Sequence, residues 1–257
     1  TCSKGKCGLA CGNGFDFVTY NSGINSPVIV YLDGTSCAGG DAQGDRLYGV
    51  EGVIATGGAD TVWGFETNDV IYGMSGKDTL NAGAGNDTVD GGDQADTIDG
   101  GIGADYLMGG TGNDTLYGGY DEYYPLNTDN DTLKGGAGND QLDGGEGADV
   151  LWGGSGADTF IYRNDQESYG ALVDTIKDFN QAEGDKIQMT GPFLFVGQNA
   201  FNHSDHHEEV RFYHKDGDTF VETKFDPSLL DQGITAPDIT IHLEGWYNLS
   251  ASDFIQY

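Results

Sequence analysis

Aspartate returns at every ninth position through the middle of the chain: Asp60, Asp69, Asp78, Asp87, Asp96, Asp105 and Asp114, then, after one break, Asp131, Asp140, Asp149 and Asp158. The best-kept units read Gly-Gly-X-Gly-X-Asp, then a small polar or β-branched residue and one large aliphatic. Gly109-Gly110-Thr111-Gly112-Asn113-Asp114-Thr115-Leu116 is one of them. The glycine-rich half can be neither strand nor helix, because its residues permit the positive φ of a tight turn. In the other half, alternation turns the aliphatic inward and its neighbours outward, which makes a short strand. Each nonapeptide is therefore one turn and one strand, and two make a full coil.

Composition decides what such coils can build. The chain has 257 residues, a hydrophobic fraction of 37%, 44 glycines and a formal charge of -31. Without periodicity those values would indicate disorder, since too little surface is buried to offset chain entropy. A solenoid needs only a thin core, because each repeat buries its apolar groups against its neighbours. One apolar residue per repeat is available: Val62, Ile71, Leu80, Val89, Ile98, Leu107, Leu116, Leu133, Leu142, Leu151 and Phe160. The expected fold is all-β, a parallel roll whose two sheets face each other across a single apolar row.

Residues a full coil apart, such as Asp60, Asp78, Asp96 and Asp114, would then stack on one edge at roughly 4.8 Å. Like charges at that spacing repel by about 1 kcal/mol in water and by roughly four times as much at an effective dielectric near 20. Bare carboxylates should open the roll. A divalent cation between turns reverses the sign, and the turns add backbone carbonyls. Several hard oxygen ligands in a flexible loop suit Ca2+ better than Mg2+, which holds its water and demands a tight octahedron.

The nonapeptide resembles the calcium-binding repeat of RTX proteins, and residues 73–162 are similar to their parallel β-roll. The resemblance implies several Ca2+ ions. It also implies that the first and third turn carbonyls with the Asp bind from one turn, and the second and fourth carbonyls with the next coil's Asp from the other. Carried over, the ligands are Gly83, Gly85 and Asp87; Gly100, Gly101, Ile102, Gly103 and Asp105; and Gly109, Gly110, Thr111, Gly112 and Asp114. After the break they are Gly135, Gly136, Ala137, Gly138 and Asp140; Gly144, Gly145, Glu146, Gly147 and Asp149; and Gly153, Gly154, Ser155, Gly156 and Asp158. Asp60, Asp69, Asp78, Asp96 and Asp131 complete the set. Thr67 and Gln94 depart from the pattern at the fourth turn position, Asp129 stands there before Asp131, and Lys77 sets a positive charge beside Asp78.

The flanks carry the resemblance further. Pro27 to Asp33 and Gly39 to Asp45 look like irregular opening coils, while Asp158 to Tyr162, Asp174 to Phe179 and Gly184 to Ile187 are similar to the closing cap of serralysin-type proteases and alginate epimerase modules. Leu249 to Ile255 resembles the C-terminal signal of type I secretion. Three regions follow: a cysteine-bearing N-terminal cap (1–37), the roll (38–162) and a C-terminal β cap (163–257). Cys2, Cys7, Cys11 and Cys37 all lie in the first region, depart from the usual cysteine-free exporters, and are expected to form disulfides in an oxidising, extracellular setting. The first residue, Thr1, fits removal of a leader, and Asn202 and Asn248 head glycosylation sequons.

Where the rhythm breaks, eight extra residues, Tyr120 to Asn127, form a loop with three tyrosines and two acids. Its Tyr123 and Tyr124, together with the outward Trp63, Tyr117 and Trp152, are the candidate glycan contacts, since aromatic faces stack on sugar rings. Catalysis has no visible constellation: there is neither a His-Glu-X-X-His helix nor a Gly-X-Ser-X-Gly elbow. His203, Asp205, His206, His207, Glu208 and Glu209 read as a solvated loop rather than a zinc site. Nucleic acid is disfavoured by 42 acids against 11 bases, and no apolar run is long enough for a transmembrane helix. The expected function is a secreted, non-catalytic calcium-binding protein of structural, adhesive or surface-associated type. The alternative is a lectin-like module recognising extracellular polysaccharide, or a non-catalytic part resembling those of polysaccharide-modifying enzymes or RTX proteases.

Overall fold

Alternate nonapeptides supply strands to opposite sheets of the computed structural model, which describes residues 9–10, 14–21, 25–120, 129–163, 173–189, 193–198, 208–224 and 239–256. The nine-stranded sheet runs Ile29–Tyr31, Thr61–Phe65, Thr79–Gly83, Thr97–Asp99, Thr115–Tyr117, Gln141–Asp143, Thr159–Tyr162, Lys186–Met189 and Phe254–Gln256, parallel throughout. In the twelve-stranded sheet, Phe17–Thr19, Gly52–Ile54, Val70–Tyr72, Thr88–Asp93, Tyr106–Thr111, Thr132–Ala137, Val150–Ser155, Asp174–Ile176 and Ile239–Leu243 form the parallel part. An annex extends it: Asp218–Lys224 and Glu208–Lys215 add antiparallel, and Phe193–Gly197 closes the edge. The parallel stack is thus continuous across residues 37 and 162.

In-register pairing turns the expected single apolar row into two columns, one per sheet. Val62, Leu80, Ile98, Leu116, Leu142 and Phe160 stand in line on one side. Ile71, Val89, Leu107, Leu133 and Leu151 stand on the other, and both columns are fully buried. Each such side chain contributes about 1.5–3 kcal/mol of burial, so a thin core suffices. Val30 and Val18 start the columns, and Ile187, Phe254, Ile176 and Leu243 finish them. Phe179 closes the far end, its ring 6.2 Å from Phe160 and 5.6 Å from Tyr247.

Three further expectations need correction. The glycine-rich half is not excluded from strands: Thr88–Asp93, Tyr106–Thr111, Thr132–Ala137 and Val150–Ser155 run on through their Gly-Gly pairs. Cys37 is a free thiol, 1% exposed, rather than part of a disulfide staple. It lies in the core beneath the opening strand, where the Tyr31 N–H donates to its sulfur at 3.4 Å and burial pushes its pKa up. Cys2, Cys7 and Cys11 lie outside the described residues, as do Tyr123, Tyr124, His203, Asp205, His206 and His207. Glu208 and Glu209 begin a strand rather than extend a loop, and Glu209 is buried.

Candidate metal centre

One oxygen of each interior aspartate is used by the fold, and the other is not. The backbone N–H of each aspartate donates to Oδ1 of the aspartate one coil later: Asp60 to Asp78, Asp78 to Asp96 and Asp96 to Asp114 at 2.7–2.8 Å on one edge. Asp69, Asp87 and Asp105 donate likewise to Asp87, Asp105 and Asp131 on the other. The ladders continue through Asp140, Asp158 and Asp185, and through Asp149 and Asp174. The second oxygen, Oδ2, of Asp78, Asp87, Asp96, Asp105, Asp114, Asp140, Asp149 and Asp158 is buried and accepts no hydrogen bond from the described residues. A buried anionic oxygen without a donor is costly, and here the cost recurs along both edges.

What surrounds those oxygens is more oxygen. A Cβ placed on Gly109 would stand 2.5 Å from Asp114 Oδ2 and 2.7 Å from the carbonyl oxygen of Gly135 in the next coil. The same pairing recurs at Gly73, Gly91, Gly100, Gly118 and Gly135. Glycine is required there because the space belongs to a cradle of carboxylate and carbonyl oxygens. No three His, Cys, Asp or Glu side chains converge on one point among the described residues. Each cradle instead joins a carboxylate to backbone carbonyls, a hard, all-oxygen donor set that fits Ca2+.

Electrostatics agrees with this geometry. Burial, the first cause in every case, pushes the carboxyl pKa up to about 7 at Asp78, Asp87, Asp96 and Asp140, to about 8 at Asp105 and Asp131, and to about 6 at Asp69 and Asp158. Charges of the coils above and below add to it, as Asp96 and Asp60 do for Asp78. Asp149 is raised as well, by burial and then by the charge of Asp174. Without a cation the roll resists ionisation of its own carboxylates.

The two ends of the array are closed by protein. Asp60 accepts from the Val28 N–H at Oδ1 and from the Thr56 N–H at Oδ2, both at 2.7 Å, with the Thr56 hydroxyl reaching both oxygens. Asp69 accepts from the Phe65 N–H at 2.8 Å and the Thr67 hydroxyl at 3.0 Å. These two expected ligands therefore have their oxygens occupied, and Thr67 is the residue that displaces a turn glycine. At the other end Asp185 is held by the N–H groups of Asp158 and Asn180, and Asp174 by the Asp149 N–H and Tyr162. Asp174 and Asp185 belong to the ladders, although their coil neighbours lie 25 and 27 residues away rather than 18. The Asp-X-aliphatic signal is present at Asp174-Thr175-Ile176 and Asp185-Lys186-Ile187, without the Gly-Gly-X-Gly pattern before it that marks a regular turn.

Other departures leave the cradles open. Gln94 adopts a glycine-like φ of 77°, and Asp96 Oδ2 beside it stays free; Asp78, next to Lys77, does likewise. The insertion sits inside a turn: Gly118 faces Asp131 Oδ2 as a first-position glycine, and Asp129 occupies the fourth position. In regular turns the fourth N–H donates to the third carbonyl of the next coil, as Gly85 does to Ile102. At the insertion the Gly103 N–H donates instead to Asp129 Oδ2 at 2.9 Å. A side-chain carboxylate has taken over a backbone carbonyl's bond.

Several outward aromatics of the roll are engaged by cations. Lys134 Nζ lies 5.0 Å from the ring centroids of both Tyr106 and Trp152. Arg163 lies 5.5 Å from that of Tyr117 and pairs with the buried Asp143 at 2.9 Å, while the Tyr120 hydroxyl donates to Asp143 at 2.7 Å. Trp63 is 42% exposed.

The model of the RTX calcium-binding nonapeptide repeat matches in 4 copies, over residues 53–80, 72–107, 99–121 and 127–160. These coils are RTX repeats. RTX repeats bind Ca2+, several ions to an array, which is the chemistry the cradles present. Among solved structures, the chain is similar to a subunit of the Azotobacter vinelandii mannuronan C5-epimerase, at 28% identity and a TM-score of 0.31, over 63% of this chain and 78% of that one. It is also similar to the extracellular lipase of Serratia marcescens, at 18% identity and a TM-score of 0.28, over 79% of this chain and 39% of the lipase. Comparison with curated protein sequences gave no match.

The closed ends of the RTX array give a direct test. Asp60→Asn turns an amide NH2 toward either the Val28 or the Thr56 N–H, donor against donor, and is expected to cost about 1–3 kcal/mol with no change in the number of ions bound. Calorimetric calcium titration checks it; loss of an ion would show that Asp60 is a ligand.

Proposed function

We propose that this chain is a secreted, non-catalytic calcium-binding scaffold whose roll, at neutral and alkaline pH, forms only when calcium is bound, serving a structural, adhesive or surface-associated role. The supporting observation is the pair of ladders in which eight buried Oδ2 atoms find no hydrogen-bond donor among the described residues. The proposed ligands are Asp78, Asp96, Asp114, Asp140 and Asp158 on one edge and Asp87, Asp105, Asp131 and Asp149 on the other, with the carbonyls of the turns between them. Because the cradles exist only when coils are stacked, the free energy of binding is free energy of folding. A chain of charge -31 would then leave the cell unfolded and fold outside, where calcium is abundant.

Circular dichroism during a calcium titration tests the reading. In chelator the β-sheet signal is expected to be largely absent, and it should rise cooperatively as calcium is added. Full β-structure without calcium at about pH 8 would overturn the proposal.

A further inference from the structure

Trp246 is the most exposed large apolar side chain among the described residues, at 67%. It is also firmly fixed. Its ring lies on the imidazole of His214, with centroids 3.6 Å apart and planes at 12°, so one face is covered and the other is open. The buried Thr219 hydroxyl donates to the Gly245 carbonyl at 3.0 Å and accepts from the Tyr247 N–H at 2.8 Å, clamping the backbone on both sides of the tryptophan. Asp218 accepts from the Gly245 N–H at 2.9 Å. An exposed aromatic held this rigidly has little left to lose on binding, which favours recognition.

The same hydroxyl orients the histidine. With its one proton given to Gly245, Thr219 Oγ1 can only accept from His214 Nδ1, 3.1 Å away. Neutral His214 therefore carries its proton on Nδ1, which ties the imidazole beneath the indole to the same hydroxyl. Next to it, His242 contacts Asp218 at 3.0 Å and Thr175 at 3.3 Å.

We infer that Trp246, backed by His214, is a binding platform for a neutral pyranose residue of a glycan, the sugar ring stacking on the open indole face. A protein partner fits less well, because a stable interface buries on the order of 800 Å² per side around an apolar centre, and the residues around Trp246 (Lys215, Asp216, Glu244 and Asn248) are exposed and polar. An anionic sugar fits less well too. Acids outnumber bases around Trp246, with Asp216, Asp218 and Glu244 against Lys215, in a chain of formal charge -31. The platform lies on the annex and its adjoining loop, apart from the calcium ladders.

The test uses the full chain with saturating calcium and ligand-observed saturation-transfer NMR against neutral gluco-, manno- and galacto-oligosaccharides and a polyuronate. Saturable binding of a neutral oligosaccharide is expected, weakened roughly tenfold or more by Trp246→Ala and unchanged by Trp152→Ala. An unchanged calcium titration by circular dichroism shows that both variants fold, and it separates failure here from failure of the calcium reading. Binding of the polyuronate alone, no saturable binding, or equal binding by Trp246→Ala would each overturn the inference.

Discussion

Protein stripped of calcium by dialysis is expected to regain much of its β-sheet signal when the pH is lowered from about 8 to about 5. The direction follows from the ladders. In the folded, metal-free roll the carboxyl groups of Asp78, Asp87, Asp96 and Asp140 are pushed up to about 7, and those of Asp105 and Asp131 to about 8. In the unfolded chain an aspartate titrates near about 3.9. The folded state therefore binds more protons across this window. The stability those groups contribute is fully present below the unfolded value and is lost as the pH rises through about 6–8. Protons at low pH do part of what calcium does at high pH, removing the repulsion between stacked carboxylates. With calcium bound the dependence reverses, because the ligands must be ionised and protons compete with the metal. Circular dichroism and sedimentation of the stripped protein at both pH values check the point. An equal or larger β-sheet signal at the higher pH would contradict it.

The second large effect is expected from one methyl group. Gly109→Ala places a carbon in the space shared by Asp114 Oδ2 and the Gly135 carbonyl, where an ion would otherwise be held. Loss of at least one bound ion and a fall in stability of about 3 kcal/mol or more are expected. Gly110 next to it, at φ 107°, is equally confined, since a Cβ there would strike the Gly92 carbonyl oxygen. Gly44→Ala is the control. Gly44 has φ 87° but nothing within 4 Å of a built Cβ, so only backbone strain of about 1–2 kcal/mol applies and the ion count stays the same. Calorimetry for stoichiometry and urea unfolding in calcium for stability distinguish the two. Similar behaviour of the two variants would mean that the cradle is not the binding site.

How much of this was legible in the sequence depends on whether a feature is periodic. The nine-residue spacing from Asp78 to Asp114 gives coil length, strand position and strand register, because an aliphatic two residues after each Asp has one way to be buried. The edges of the array were not legible. Asp60 and Asp69 carry the same signal as Asp87, and only the geometry of Thr56, Thr67 and the Phe65 N–H shows their oxygens occupied. At the far end Asp174 and Asp185 join the ladders across connections of irregular length, which break the count on which a periodic reading relies. Cys37 was misread because four cysteines close in sequence say nothing of which one the core encloses. Trp246 had no periodic signal at all: its rigidity comes from Thr219, distant in sequence and adjacent across a sheet.

The replacement at Asp129 reaches beyond metal binding. Because this carboxylate supplies the acceptor that the interrupted turn lacks, the coils before and after it stay in register whatever the intervening segment contains. The chain therefore has a splice point built into the wall of its roll. Segments of different length or sequence, exchanged between Tyr120 and Asp129, should leave the stacking unaltered, so surface chemistry can be varied there independently of the scaffold that displays it.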